Sequence, residues 1–329
     1  MARRTIQTCR FYADVLQYLK ILGYYDGSDT PDVWNMNPSS MSEYDLSGQT
    51  NFDFNLKNPS KELDELLTNV PQSSSTGVYG AVLGHTLKNQ FIHFRTINDA
   101  FSLTDNIINY NTEPEYNGYS IWDIQDCGAE TDIDKIRLAI NTTEDMSSKI
   151  GAISFGRWFE PSHSPDLSVR LVSEYDGITN QTTVGGNSIT NVNHLGQPHW
   201  GDLPAWTLEK KEGHDYKIGA DTDRKVWQLS FSYIADDNLL SKSNNPNKFF
   251  TVTDDTYVFD SSLSSFFRLT LNGSLPFIFC PNSAGSNPTS DEGDKDLEFA
   301  LCKLDQDSLT FRQVASQTWN VSMTVMEVW

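Results

Sequence analysis

The amino-acid sequence predicts a mainly β protein, an antiparallel β-sandwich or open barrel with long loops, preceded by an N-terminal region with two short helices. Three observations predict it. Trp227, Leu229, Phe231 and Tyr233 alternate with Gln228, Ser230 and Ser232, and Trp319, Val321, Met323 and Val325 alternate with Asn320, Ser322 and Thr324. A period of two gives a strand one buried and one wetter face. Short apolar runs elsewhere are separated by Gly, Pro, Asn and Asp, the punctuation of strands and turns. The chain is 38% hydrophobic but 12% aromatic, with 8 Trp, 13 Tyr and 18 Phe, a profile of folded β-rich chains and not of disordered ones.

Taken in order, Phe11, Val15, Tyr18, Leu19 and Leu22 recur at steps of three and four before Gly23, which predicts a first helix and its stop. These five residues are the expected interface. Their apolar stripe either reaches a neighbouring subunit or docks on its own body. Residues 25–58 are a mixture of Asn, Asp, Ser and Pro with isolated aromatics, which predicts a long irregular segment or extended arm. Ser60 then caps a second helix with Leu63, Leu66, Leu67 and Val70 as its stripe; Glu62 sits near the positive end of the dipole, and Pro71 and a serine run close it.

Strand signals follow at residues 91–95, 151–155 and 167–172. Two apolar runs, 275–280 and 299–304, flank a loop at 281–298 rich in Ser, Asn, Gly and acid. This is antiparallel sheet patterning, and it places a boundary near residue 148. Residues 1–148 are expected to hold the helix, the arm and a mixed α/β region, and residues 149–329 the β-sandwich assembly domain. No internal repeat of about 20 to 50 residues is visible.

Over 329 residues, 24 basic and 44 acidic side chains give a net charge of −20. With a pI near 4.5 and no basic patch, direct nucleic-acid binding is not expected. No window approaches the roughly 20 apolar residues of a membrane helix, and mean hydropathy is −0.46, so no membrane partner is expected either. Arg3, Arg4 and Arg10 are not followed by the apolar stretch of about 7 to 15 residues that a signal peptide needs, so secretion is not indicated. Cys9, Cys127, Cys280 and Cys302 are too few and scattered to staple the chain, and reduced, mostly buried thiols are expected.

The candidate chemistry is thin. The segment 80–86, Gly-Ala-Val-Leu-Gly-His-Thr, is one spacer short of a phosphate loop and has His85 where the charged Lys must stand. His194 and His199 have a zinc-finger spacing without a Cys pair to complete four ligands. Asp291, Asp294, Asp296 and Glu298 could gather around calcium but lack the 12-residue loop pattern, so a solvated acidic loop is expected. Ser154, between Gly151 and Gly156, is one residue out of place for a nucleophile elbow. Asp123 and Asp126 are three apart and project to opposite faces of a strand, so they cannot flank one glycosidic bond. No catalytic residue, metal or cofactor is expected.

A run of dispersed motifs in the last 180 or so residues carries a resemblance. It comprises Ile153-Ser154-Phe155-Gly156-Arg157-Trp158-Phe159, Ser164-Pro165-Asp166-Leu167, Tyr175-Asp176-Gly177, Pro198-His199-Trp200-Gly201-Asp202 with Ala205-Trp206, Trp227 through Tyr233, Leu275-Pro276-Phe277-Ile278-Phe279 and the ending Glu327-Val328-Trp329. This run resembles uncharacterised virion structural proteins of tailed bacteriophages, and the final strand at the chain's end is similar to proteins of the distal tail or baseplate hub. The resemblance implies a β-sandwich that assembles into a homo-oligomeric ring without catalysis. It also implies other virion proteins as neighbours and a virion location, with assembly in the host bacterial cytoplasm. The alternatives are a glycan-binding or host-receptor-binding module, and a neck or capsid-associated phage protein.

Overall fold

Hydrophobic residues on both faces of its central strands let one large sheet collect segments from the whole length of the chain. A computed structural model describes residues 8–27, 33–57, 76–87, 90–97, 108–111, 118–124, 133–174, 178–192, 199–200, 203–204, 224–239, 263–283, 299–305 and 307–328. The large sheet runs in the order β10 (Arg170–Glu174), β15 (Arg224–Ala235), β19 (Thr318–Glu327), β17 (Ala300–Leu304), β16 (Phe277–Cys280), β1 (Arg10–Asp14), β9 (Met146–Phe159), β4 (Thr76–His85) and β7 (Gly118–Ile124). β18 (Phe311–Ala315) pairs with β19 and β2 (Ser42–Leu46) with β9. A second sheet has the order β3 (Gln49–Asn55), β8 (Lys135–Asn141), β5 (Phe91–Ile97) and β6 (Ile108–Asn111). The remaining strands form two-stranded units, β11 (Ile178–Thr182) with β12 (Ser188–Val192) and β13 (His199–Trp200) with β14 (Leu203–Pro204). The described helices are α1 (Val15–Ile21), α2 (Asp236–Leu239) and α3 (Leu263–Leu269). Pairing is antiparallel throughout the large sheet, and the chain is mainly β as its sequence predicts.

Alternation along each strand sorts the core into two layers. On one face of the large sheet, Val78, Val82, Trp122, Ile153 and Phe155 share a core with Phe52, Phe54, Ile92, Phe94, Ile136 and Leu138 of the small sheet, so two sheets pack face to face. Gly80 makes this approach close: a Cβ there would lie 2.4 Å from the Phe94 ring. Further along the same core lie Phe11, Phe277, Phe279, Trp227, Leu229, Val321 and Met323, with Phe266 of α3 5.1 Å from the Phe11 ring and 5.0 Å from the Phe277 ring. The opposite face buries Tyr12, Tyr79, Ala81, Leu83, Ile121, Trp158, Ile278 and Leu301 with Trp200 of β13.

β1 is the junction. Residues 11–13 pair with Phe279, Ile278 and Phe277 on one side and with Phe159, Trp158 and Arg157 on the other. Phe11 and Tyr12 therefore point to opposite buried faces, Phe11 lying 5.1 Å from the Phe266 ring and Tyr12 edge-on to Tyr79 at 5.1 Å. At Asp14 the strand turns into α1; the Asp14 carboxylate accepts from Leu16 N (2.8 Å) and Gln17 N (3.1 Å) as the N-cap. Gly156, opposite Asp14, is required there, because a Cβ would stand 2.0 Å from Ala13 O.

Several expectations change. Phe11 belongs to β1 and not to the helix, which begins at Val15; pairing on both edges outweighs a local 3.6-residue periodicity. Residues 33–57 are no free arm. Trp34 is buried against Phe54 (5.6 Å), Val33 O accepts from Ile153 N (2.7 Å), and β2 and β3 lie within this stretch. Residue 148 falls inside β9, and strands from either side of it share the large sheet and its core, so the expected boundary does not separate two sheets. The strand expected at 167–172 starts at Arg170, leaving Leu167 fully exposed. Tyr233 leaves the buried face of β15 at a bulge, with φ of 62° and 74% exposure. Of the cysteines, Cys9, Cys280 and Cys302 are buried and form no disulfide, whereas Cys127 and the helix expected from Ser60 lie outside the described residues.

The five stripe residues divide in the same way. Phe11, Val15 and Leu19 are buried in the chain's own core, and Tyr18 packs partly buried against it. Leu22 is 49% exposed beside exposed Ile21 and Tyr24. As an interface, Phe11, Val15 and Leu19 are therefore corrected to internal core, because α1 and β1 lie against β9 and α3. Leu19→Asp should destabilise by about 4 kcal/mol or more through an unpaired buried charge, while Leu22→Asp should stay within about 0.5 kcal/mol. Thermal denaturation of the two single variants measures this, and equal melting temperatures would contradict the placement.

Candidate functional site

Two features stand apart from ordinary packing: a set of buried polar side chains at the heart of the large sheet, and an exposed hairpin. The first grows from β1, β4 and β9. Tyr79 on β4 and Ser154 on β9 share a hydroxyl–hydroxyl hydrogen bond of 2.7 Å, and Ser154 also hydrogen-bonds the Asp14 carboxyl. All three are buried. Burial pushes the Asp14 carboxyl up to about 7 from an ordinary 3.8, against the pull of hydrogen bonds from Gln17 and Leu16, from Ser154 and from the Phe155 backbone. Burial, helped by the neighbouring Asp14 charge, also raises the Tyr79 hydroxyl well above its ordinary value. The arrangement can pass a proton between three oxygens, but its burial suits a cap and a brace between strands better than contact with a substrate.

His85 at the end of β4 is a second buried polar group. Leu87 N–H donates to Nδ1 (3.1 Å), so Nε2–H donates to Ser120 Oγ (2.9 Å). Burial lowers this imidazole to about 3, keeping it neutral. The segment weighed as a phosphate loop is thus the interior strand β4, paired on both sides, and His85 is a core residue.

The other sequence candidates are not brought together. His199 opens β13, while His194, Asp126, Asp291, Asp294, Asp296 and Glu298 lie outside the described residues. Asp123 is on β7 opposite Tyr79. Among the described residues no three His, Cys, Asp or Glu side chains gather to hold a metal ion, and no helix is long and apolar enough to cross a membrane. A shallow cleft, no larger than a water molecule needs, is lined by Phe159, Glu160, Pro161, Ser162, Ile234, Asn238 and Leu263. Its one carboxylate, Glu160, accepts from Arg10 Nε (2.7 Å) and Ser283 Oγ (3.2 Å), with the Arg10 guanidinium 4.1 Å above the Trp158 ring.

The hairpin β11–β12 lies in a polar segment where no strand was expected. Its strands pair in register from Ile178 with Val192 to Thr182 with Ser188. The turn follows from Gly186, at φ of 84°, with Gly186 N donating to Thr183 O (2.8 Å) and Thr183 N to Asn187 O (2.8 Å), a three-residue loop of the bulged kind. Asn180, Gln181, Thr182, Ile189, Thr190 and Asn191 are all exposed, and Val184 at the tip is completely so. Val184 and Ile189 place two of the described exposed large hydrophobics in this hairpin. Between Asp176 and Asp202 the chain has no Asp, Glu, Lys or Arg. That charge-free run, with the Gly185-Gly186 pair inside it, is the signal that could have found the feature.

The buried carboxylate makes a pH prediction. Between about 4 and about 7 the folded state holds a proton on Asp14 that the unfolded chain has released, so this group costs stability as pH rises through that window. His85 acts oppositely, its contribution being lost as pH falls below about 6.5. Asp14→Asn keeps an N-cap acceptor and removes the titration. It should raise the melting temperature at pH 8 far more than at pH 4; an equal shift at both would contradict the carboxyl's placement.

Comparison with protein-family models, with curated proteins and with solved structures finds no match to this chain.

Proposed function

We propose that the chain is a structural subunit of a tailed-bacteriophage virion, in the distal tail or baseplate, working by symmetric self-association and by docking onto neighbouring virion proteins. The virion assignment rests on the sequence resemblance, whose motifs supply β9, β13, β15, β16 and the end of β19. The assembly part is carried by one observation: a hairpin without charged residues, exposed at every position from Asn180 to Asn191 except half-buried Thr183, belongs to a chain of net charge −20. In a strongly acidic molecule, an uncharged surface is where another protein can approach at the lowest electrostatic cost. The glycan-binding alternative needs exposed aromatic platforms. Among the described residues, Trp34, Trp122, Trp158, Trp200 and Trp227 are buried and Trp319 is committed through Nε1 to Asp236 (2.6 Å), which leaves Tyr24, Phe91 and Tyr233 as the exposed large rings.

Immunogold electron microscopy of the parent particles, with antibodies raised against the folded chain, tests the reading. Gold at the tail end is expected. Labelling confined to the head or neck would move the subunit within the particle, and particles without label would overturn the virion role.

A further inference from the structure

We propose that the open edge of β12 pairs antiparallel with the same edge of a second copy of this chain, about a two-fold axis at Thr190, making a four-stranded sheet across two subunits. This rests on the assembly reading and names one contact within it, an isologous one that closes at two copies, so that a ring also uses a second, heterologous contact.

The edge geometry follows from the hairpin's own hydrogen bonds. Bonded and non-bonded pairs alternate in an antiparallel ladder. Because Thr183 N–H donates to Asn187 O, the pairs Gln181–Ile189 and Thr179–Asn191 are bonded, while Thr182–Ser188 and Asn180–Thr190 are not. The 2.7 Å hydrogen bond from Thr190 Oγ1 to Asn180 Oδ1 agrees, since side chains lie closest across non-bonded pairs. The backbone N–H and C=O of Ser188 and Thr190 therefore point away from β11, and among the described residues no third strand pairs with β12. Such an edge is a template for another strand, and folded proteins commonly blunt it with Lys, Pro or a bulge. β12, Ser-Ile-Thr-Asn-Val, has none of these.

Three arguments favour a second copy as occupant. With −20 on each subunit, long-range repulsion opposes contact between copies over most of the acidic surface, and the charge-free run between Asp176 and Asp202 is a place where the two meet without adding to it. A basic partner would instead be drawn to the acidic surface. A lone two-stranded hairpin is marginal in water, and strands from two copies bring the unit past three. The register also closes on itself: with Thr190 opposite Thr190, Ser188 falls opposite Val192, so outward-facing groups meet outward-facing groups, as a two-fold interface requires. β12 is the better edge because Ile and Thr suit a pleated surface, whereas β11 offers Asn180 and Gln181.

Sedimentation velocity of the full chain at 0.1 M salt, where charges are screened beyond about 10 Å, is the test. Wild type should associate. Thr190→Pro removes an outward N–H without touching the hairpin's ladder and should weaken association at least about tenfold, with circular dichroism and melting temperature unchanged. Asn180→Pro, the matching change on the other edge, should leave association intact. Thr190→Cys should form a disulfide-linked dimer under mild oxidation, since bonded pairs hold their Cα atoms about 5.5 Å apart. If Thr190→Pro associates as wild type does, or Thr190→Cys gives no linked dimer, the β12 contact is overturned and the assembly reading stands. A wild type that stays monomeric at all salt concentrations overturns both.

Discussion

The insertion of β1 between β9 and β16 is the constraint on which the rest of the structure depends. A five-residue strand near the N-terminus hydrogen-bonds on both edges and buries Phe11 toward α3 and Tyr12 toward Tyr79. Without it, β2, β4, β7 and β9 would form one sheet and β10, β15, β16, β17, β18 and β19 another, each with an open edge to protect. Its far end dictates local chemistry as well. The turn into α1 needs a cap, Asp14 supplies it, and the close approach requires Gly156. The cap is buried, so it needs Ser154 and Tyr79 to satisfy it.

This arrangement explains what could be read from the sequence. β15 and β19 were legible because one face lies in the core while the other is wetter, which imprints alternation on Trp227, Leu229 and Phe231 and on Val321, Met323 and Val325. β1 was not, because residues buried on both faces show no period, and its Phe11 falls in step with Val15 and Leu19 of the helix that follows. β4 resembled a glycine loop for a packing reason: Gly80 admits the Phe94 ring, and Gly84, at φ of 65°, admits Pro38 O. The segment after Tyr25 looked like an arm because Trp34, Tyr44, Phe52 and Phe54 are set among polar residues, yet Tyr25 and Trp34 meet the Phe54 ring and Tyr44 meets Phe52 edge-on.

For the candidate site, legibility was poorer, and the reason is physical. The motifs behind the phage resemblance lie mostly on buried strands, where residue choice reports packing. The surface proposed for association is marked instead by what it lacks, charge between Asp176 and Asp202, against a background where acids are frequent. The same molecule thus holds its polar chemistry inside, at Asp14, Ser154, Tyr79 and His85, and presents an uncharged hairpin outside. That division suits a protein whose task is to hold a shape and meet neighbours.

Native-state hydrogen exchange tests the role of β1 most directly. If β1 joins the halves into one cooperative unit, the amides of residues 11–13 should exchange only through global unfolding, with the same free energy as the protected amides of β4 and β9 on one side and of β16 and β19 on the other. Two groups of protected amides with separate opening free energies, dividing at β1, would contradict the account.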